Sequence, residues 1–264
     1  MLCTDTSGLR AGMSIGLAAI DSGNTVPMSH DRLRPSTDLS AAAWIAPRLR
    51  GDFASTVSSV VPTGFEAYAR ILHPAVAATG ERVRWGSVAA AFDAVEHGLM
   101  QFHALAGVSW STQEIKTEAW TGSAPTDGDL EPELLAALLD VVSLHTPATD
   151  ECWFCLWDGY GWIAESVTAR VALPGRNYLL YRGPLDAALE MGHSPLAGWF
   201  LPQSPNIFWP DDASWCVATE IDLPYTYVGG SRDLVDDLLI DVRLEVWEAH
   251  PDDPIAFDTD LLNS

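Results

Sequence analysis

Two cysteines three positions apart, Cys152 and Cys155, have the spacing of a metal-binding or redox-active pair. A structural zinc site needs about four ligands, and His145 and Cys216 would complete one only if the fold brought all four side chains together. The pair lies inside CWFCLW, a bulky apolar run typical of a buried strand. Because free cysteine behaves as a small hydrophobic residue, we predict that both thiols belong to the core, and we expect no metal and no cofactor.

A glycine pair stands directly before a predicted helix in Gly229-Gly230-Ser231. Glycines at a helix N-terminus can cradle a phosphate, but the lysine of a nucleotide-binding loop is missing here. The nearby Asp233 would also repel an anion. We therefore predict a tight turn in which Ser231 caps the helix.

Two carboxylates, Glu220 and Asp222, alternate along a predicted strand and would share one of its faces. On one face they could perform acid–base chemistry, bind a metal, or pair with an arginine. The chain contains no His-Glu-x-x-His and no Gly-x-Ser-x-Gly, so the sequence names no nucleophile with its base. Glu220 and Asp222 are therefore the weak candidates for catalytic residues.

Aromatic and charged residues are concentrated between positions 157 and 227. Tryptophan and tyrosine supply rigid area for stacking on a ligand or a partner protein. The alternative is that the aromatic rings fill the core and that Arg176 and Arg182 neutralise the acids. The candidate binding residues are Trp157, Asp158, Tyr160, Arg176, Tyr178, Arg182, Trp209, Asp211, Asp212, Tyr225 and Tyr227.

The elements that must position these residues follow from periodicity and capping signals. Helical patterns cover residues 39–49, 87–105, 131–144, 184–191 and 232–240. Strand patterns cover residues 65–73, 151–157, 167–173, 177–181, 215–223, 225–228 and 244–247. Helices lead and strands follow, which favours an α+β fold with N-terminal helices packed on a mostly antiparallel sheet formed largely by the second half.

The same patterns predict one domain over residues 37–250, helix-rich over 37–150 and strand-rich over 151–250. Residues 1–36 lack a sustained period and are expected to form a flexible or loosely packed tail. Met28 is an alternative start, which leaves open whether residues 1–27 are native. Residues 251–264 are expected to form an acidic tail.

Composition limits the classes of partner. The chain has 264 residues, with 14 basic and 36 acidic residues, a net charge of −22 and 11 tryptophans. Scattered arginines among so many acids exclude a phosphate-binding stripe, so we expect no nucleic acid and no anionic membrane. Cationic partners are favoured. The sequence shows no apolar run long enough for a transmembrane helix and no clear signal peptide, so we expect a cytoplasmic protein.

Four segments resemble an uncharacterised actinobacterial family to which we can attach no activity: VPTGFEAYARILHP at 61–74, WDGYG at 157–161, WCVATEID at 215–222 and YVGGS at 227–231. The resemblance covers most of residues 38–250. Residues 219–239 also resemble the SMI1/KNR4 (SUKH) superfamily, in which a strand is followed by a short turn and a capped helix. That likeness implies an immunity or interaction module and no catalytic set.

Two functions follow as hypotheses. The first is a soluble acidic binding protein, of immunity type in the sense of that superfamily, that engages a basic protein or a small molecule in an aromatic pocket. The second is a hydrolase-like enzyme with an aromatic-lined acidic pocket, in which Glu220 or Asp222 acts as acid–base group or metal ligand. We lean towards the first, and the oligomeric state stays open.

Overall fold

The computed structural model describes residues 32–106, 120–146, 151–163 and 169–263. Its strands are β1 (Arg34–Ser36), β2 (Ala67–Leu72), β3 (Ala75–Val76), β4 (Arg82–Val83), β5 (Cys152–Trp157), β6 (Val171–Leu173), β7 (Arg176–Gly183), β8 (Gly192–Leu196), β9 (Trp199–Pro202), β10 (Ile207–Pro210), β11 (Cys216–Ala218), β12 (Tyr225–Gly230) and β13 (Val246–Ala249). Its α-helices are α1 (Trp85–Ala91), α2 (Phe102–Leu105), α3 (Pro132–Leu144) and α4 (Arg232–Ile240).

In the described part of the chain, nine strands form one antiparallel sheet in the order β1-β7-β5-β10-β11-β12-β2-β13, and β6 also pairs with β7. β1 and β6 share one edge of β7, since β1 pairs with Leu180–Arg182 and β6 with Arg176–Tyr178. Two short hairpins, β3-β4 and β8-β9, stand outside this sheet. The fold is α+β with a mostly antiparallel sheet formed largely by the second half of the chain, as the sequence predicts.

Both faces of the sheet are covered. Helices α3 and α4 pack on one face, and the N-terminal 3₁₀ turns with α1 and α2 pack on the other. Because strands buried on both faces need no polar side, β5 can be bulky and apolar throughout. The core layer between the first face and its helices includes Leu135, Leu138, Phe154, Val228 and Leu234. The core layer on the second face includes Ile45, Trp85, Phe102, Trp209 and Tyr225.

Several predicted elements are shorter than their patterns suggest. Residues 39–49 form two 3₁₀ turns, Ser40–Ala42 and Ala46–Arg48, and the second contains Pro47. The pattern over residues 87–105 splits into α1 and α2. Residues 184–191 form a 3₁₀ helix, Leu185–Glu190. Helices α3 and α4 lie where they are predicted, and the Ser231 hydroxyl accepts a hydrogen bond from the Leu234 amide at 3.2 Å.

The structure differs from the predicted boundaries at both ends. Arg34–Ser36 is a paired strand rather than part of a tail, while residues 1–31 lie outside the described residues. The predicted acidic tail packs on the domain, because Ile255 and Asp260 are buried. The Asp260 carboxylate accepts hydrogen bonds from the Gln101 amide at 3.0 Å and contacts His97 Nε2 at 2.9 Å. No helix among the described residues is long and apolar enough to cross a membrane.

Candidate functional site

Glu220 and Asp222 converge on Arg176 at the start of β7. Arg176 Nη2 donates to Glu220 Oε1 at 2.8 Å and to Asp222 Oδ2 at 2.5 Å. The prediction that the two carboxylates lie on a strand is wrong, because β11 ends at Ala218 and the Leu223 amide closes a turn onto the Glu220 carbonyl at 3.1 Å. The turn brings both side chains to the same guanidinium, which is the neutralised arrangement that the sequence left open.

The Arg176 guanidinium also lies over two aromatic rings. Its central carbon lies 5.0 Å from the ring centre of Phe53 and 5.5 Å from that of Trp157. Stacking of this kind suits the flat, weakly hydrated guanidinium. We call Phe53, Trp157, Arg176, Glu220 and Asp222 the Arg176 cluster. It is assembled from four distant parts of the chain.

Burial divides the two carboxylates of the Arg176 cluster. The Glu220 side chain is 4% exposed and that of Asp222 is 73% exposed. Burial raises the pKa of Glu220 above its ordinary value, against the opposing pull of the Arg176 charge. The Glu220 carboxylate is therefore held by a cation inside the protein, with Asp222 at the surface.

A cavity beside Glu220 has a volume of about 10 Å³, which is room for one water molecule. Tyr178 and Asn206 contribute to its wall. Asn206 is a structural hub, since its side chain accepts from the Trp157 amide at 2.8 Å and donates to the Tyr160 hydroxyl at 3.2 Å. The cavity has no space for a substrate next to the Glu220 carboxylate.

A series of ring contacts, the first edge-to-face and the next two stacked, leads from the Arg176 cluster towards the β8-β9 hairpin. Tyr160 lies 5.2 Å from Trp157 and 5.8 Å from Trp162 between ring centres, and Trp162 lies 4.8 Å from His193. Burial raises the pKa of Tyr160 to about 12, so its hydroxyl stays protonated. Trp162 and His193 were not among the predicted site residues, although Trp162 ends the WDGYGW motif.

Arg182 and Asp211 form a second ion-pair group, on β7 and after β10. Arg182 Nη2 lies 3.0 Å from Asp211 Oδ2, and a nitrogen of the same guanidinium lies 2.9 Å from a Glu151 oxygen. Arg34 also pairs with Glu151 at 2.7 Å. Asp212 is exposed beside this group. The predicted Asp158 forms a separate ion pair with Arg170 at 2.9 Å.

Four of the predicted binding residues lie in the core: Tyr178, Trp209, Tyr225 and Tyr227. They belong to the sheet face that α1, α2 and the 3₁₀ turns cover. The prediction that they meet a ligand or partner is therefore wrong for the folded protein. The aromatic residues were read as a surface, whereas the second layer of helices makes them an interior.

Cys152 and Cys155 lie on opposite faces of β5, Cys152 in the layer of α3 and α4 and Cys155 in the other layer. Their thiols cannot share a metal ion, because the sheet separates them. Burial raises the pKa of Cys152 to about 12 and raises that of Cys155 further. Both behave as the buried apolar residues that the surrounding sequence predicts.

A groove of about 410 Å³, which the sequence patterns did not predict, lies between the start of α1 and the end of α4. Its lining includes Arg84, Gly86, Glu96, Ile240, Val242 and Glu245. Ile240 and Val242 are 76% and 83% exposed. The sequence did contain a signal for an exposed apolar surface here, since Ile240 and Val242 do not continue the buried stripe Leu234, Val235 and Leu238 of α4.

Comparison of the chain with protein-family models, curated proteins and solved structures finds no match.

Proposed function

We propose that this chain is a soluble, non-enzymatic binding protein that engages a basic partner protein through its carboxylates. The observation that carries the proposal is how the arginines are used. Eight of the arginines that the structure describes form ion pairs with carboxylates of the same chain: Arg32, Arg34, Arg82, Arg170, Arg176, Arg182, Arg232 and Arg243.

The acids outnumber the bases by so much that many carboxylates remain without a cation. Exposed examples with no basic partner among the described residues are Asp52, Asp93, Glu96, Asp212 and Asp233. These exposed carboxylates contribute to the net charge of −22 and can meet a partner's lysines and arginines. Such a field accelerates the encounter with a basic protein and favours it over acidic ones.

The enzyme hypothesis has less support. The buried Glu220 is bound by Arg176, and the adjoining cavity of about 10 Å³ admits one water. An acid–base group needs a substrate within hydrogen-bond reach. For this reason we prefer binding to catalysis by Glu220 and Asp222.

We place this binding in the cytoplasm and in the immunity or interaction class that the SUKH resemblance implies. The cysteines within the described ranges, Cys152, Cys155 and Cys216, are buried and form no disulfide, which supports a reducing compartment. The resemblance to an actinobacterial family supports the choice of lysate for the experiment.

The experiment is affinity capture from actinobacterial lysate at about 50 mM salt, a concentration at which the screening length is still roughly 14 Å. The matched control is an unrelated protein of similar length and net charge on the same resin. We expect one basic protein, stoichiometric with the bait and absent from the control, that dissociates as salt is raised. Only proteins that the acidic control also retains, or none, would contradict the proposal.

A further inference from the structure

Strand β13 is an open edge of the sheet. Among the residues that the structure describes, it pairs with β2 alone, in a register that places Val246 opposite Ile71. The Leu72 amide donates to the Glu245 carbonyl at 2.9 Å, so Glu245 is in a hydrogen-bonded pair and the next residue is not. The N–H and C=O of Val246 therefore point away from β2. Within the described ranges, no backbone group pairs with them.

The groove of about 410 Å³ lies over this open edge. Glu245, Val246 and Trp247 contribute to its lining from β13 and the residue before it. Ile240 and Val242 form an exposed apolar wall on the side of α4, and the start of α1 lies on the other side. The groove thus combines apolar area with a backbone edge that can accept another strand.

The opposite wall of the groove is acidic. Glu245 is held in place because its two oxygens accept from the Trp85 amide at 2.7 Å and the Gly86 amide at 2.8 Å. Glu96 lies directly over Gly86, where an added Cβ would come within 2.7 Å of its Oε2. Glu96 has no basic partner in the part of the chain that the structure describes.

One cation, Arg84, lines the groove with these acids. Its Nη2 donates to the Val242 carbonyl, which ties the two walls together. Asp241 also lines the groove, and Arg243 neutralises it through a contact at 2.6 Å. Glu96 and Glu245 against Arg84 leave the groove negative, so the charge complement of this edge is a basic segment.

We propose that an extended segment of a basic partner, in which apolar residues alternate with lysine or arginine, adds as a strand to β13 at Val246. This inference rests on the proposed function and names the surface that performs it. Side chains of an added strand alternate between its two faces, so apolar groups meet Ile240 and Val242 while cations meet Glu96. Gly98 lies near the Glu248 carbonyl, so the pairing is short and centred on Val246.

The direct test uses the capped peptide acetyl-Lys-Val-Lys-Val-Lys-Val-amide with the full chain. We expect binding that slows hydrogen exchange of the Val246 amide, measured by NMR. The same peptide with N-methylated valines keeps the charge but loses the backbone N–H donors of its valines. It should bind at least fivefold more weakly, which is the affinity that the loss of about one hydrogen bond would cost.

Variants separate the edge from general charge attraction. Glu96→Gln should weaken the peptide roughly threefold, as an exposed ion pair would. The matched control Asp52→Asn removes the same charge away from the groove and should leave the affinity unchanged at about 150 mM salt. Val246→Pro removes the outward N–H, which β2 does not use. It should weaken the peptide roughly fivefold, with circular dichroism melting to confirm the fold.

Three results would overturn the inference. One is no peptide binding, or binding without protection of Val246; another is an equal loss in Glu96→Gln and Asp52→Asn. The third is that Val246 is protected without peptide because the chain pairs with its own copy, which sedimentation would show. If a captured partner binds Val246→Pro and Glu96→Gln as well as the unaltered chain, the proposed function stands and only this surface is wrong.

Discussion

At the scale of single residues, Arg176 balances a charge that the fold has removed from water. A buried carboxylate is costly unless it is paired and hydrogen-bonded. Arg176 supplies two hydrogen bonds to the Glu220 carboxylate and is itself in cation–π contact with Phe53 and Trp157. The stability of the pair therefore depends on both partners being present.

Arg176→Met should lower the free energy of unfolding by about 3 kcal/mol, because it leaves Glu220 buried without a cation. The double variant Arg176→Met with Glu220→Gln should recover at least half of that loss, since the glutamine carries no charge. Urea unfolding at pH 7 measures both. A loss under 0.5 kcal/mol in the single variant, on the order of a surface ion pair, would contradict this account.

His73 is another buried polar residue, and its imidazole is neutral at pH 7. Its Nδ1 lies 2.7 Å from the Thr126 carbonyl and must donate to it, so Nε2 accepts from the Thr226 hydroxyl at 2.9 Å. That hydroxyl lies 2.8 Å from the hydroxyl of Thr219, which continues the chain of hydrogen bonds. Burial lowers the pKa of His73 to about 4.

The pKa of His73 predicts acid sensitivity. Because the folded value of about 4 lies below the unfolded value of 6.5, the unfolded chain binds more protons between them. The contribution of His73 to the free energy of unfolding is fully present above pH 6.5. It falls by about 3 kcal/mol as the pH drops to 4. His73→Gln should remove this part of the pH dependence in urea unfolding.

A control for that measurement is Thr226→Val, which keeps the titrating ring of His73 and removes one hydrogen bond. It should lower the free energy of unfolding at neutral pH by about 1 kcal/mol and keep a fall in stability between pH 6.5 and 4, because the buried ring still titrates. Equal slopes in the unaltered chain and His73→Gln would show that His73 does not titrate in this window.

At the scale of elements, α4 shows what a short sequence signal can predict. Ser231 caps the helix through the Leu234 amide, and Leu234, Val235 and Leu238 form its buried stripe. Both features are local, so the helix was predicted with its bounds. α3 was predicted for the same reason, from Pro132 and a continuous apolar stripe.

Ser231→Ala should lower the free energy of unfolding by about 1 kcal/mol, the usual value of an N-cap. Ser231→Thr keeps the accepting oxygen and should lose a few tenths of that at most. Guanidinium unfolding at neutral pH compares the three chains. Equal stability of the alanine and threonine variants would show that the cap contributes nothing.

Where elements depend on distant contacts, sequence patterns predicted less. The strand expected over residues 215–223 ends at Ala218, because the chain turns to bring Glu220 to Arg176. Phe53 and Asn206 were missed as parts of the site, since they come from segments far from Arg176 along the chain. Arg176, Glu220 and Asp222 were named because their charges are visible in the sequence.

At the scale of the whole molecule, coverage of the sheet decides which aromatic residues reach solvent. Strand alternation predicts that one face is buried, but it does not predict a second covering layer. Trp209, Tyr225 and Tyr227, which the sequence offers as candidate binding residues, are therefore core residues covered by α1, α2 and the N-terminal turns. The α+β class itself follows from the order of patterns, which does not require knowing the layers.

The net charge of −22 predicts that salt stabilises the folded chain. Repulsion among unpaired carboxylates opposes compaction, and added ions screen it. Raising NaCl from about 20 mM to 500 mM shortens the screening length from roughly 20 Å to 4 Å, and the melting temperature should rise. Melting curves followed by circular dichroism test this. A fall in melting temperature would mean that the ion pairs contribute more than the repulsion costs.

Strand β1 has a consequence for polymerisation. It covers the Leu180–Arg182 edge of β7, on the side of the sheet opposite β13, and its Pro35 cannot donate a backbone hydrogen bond to a further strand. A shortened protein that starts at residue 37 would uncover this edge. Because β13 is also open, copies could then add head to tail without closure, which is how fibres grow. We therefore expect the protein shortened to residues 37–264 to form longer assemblies than the full chain, which sedimentation of the two at equal concentration would test.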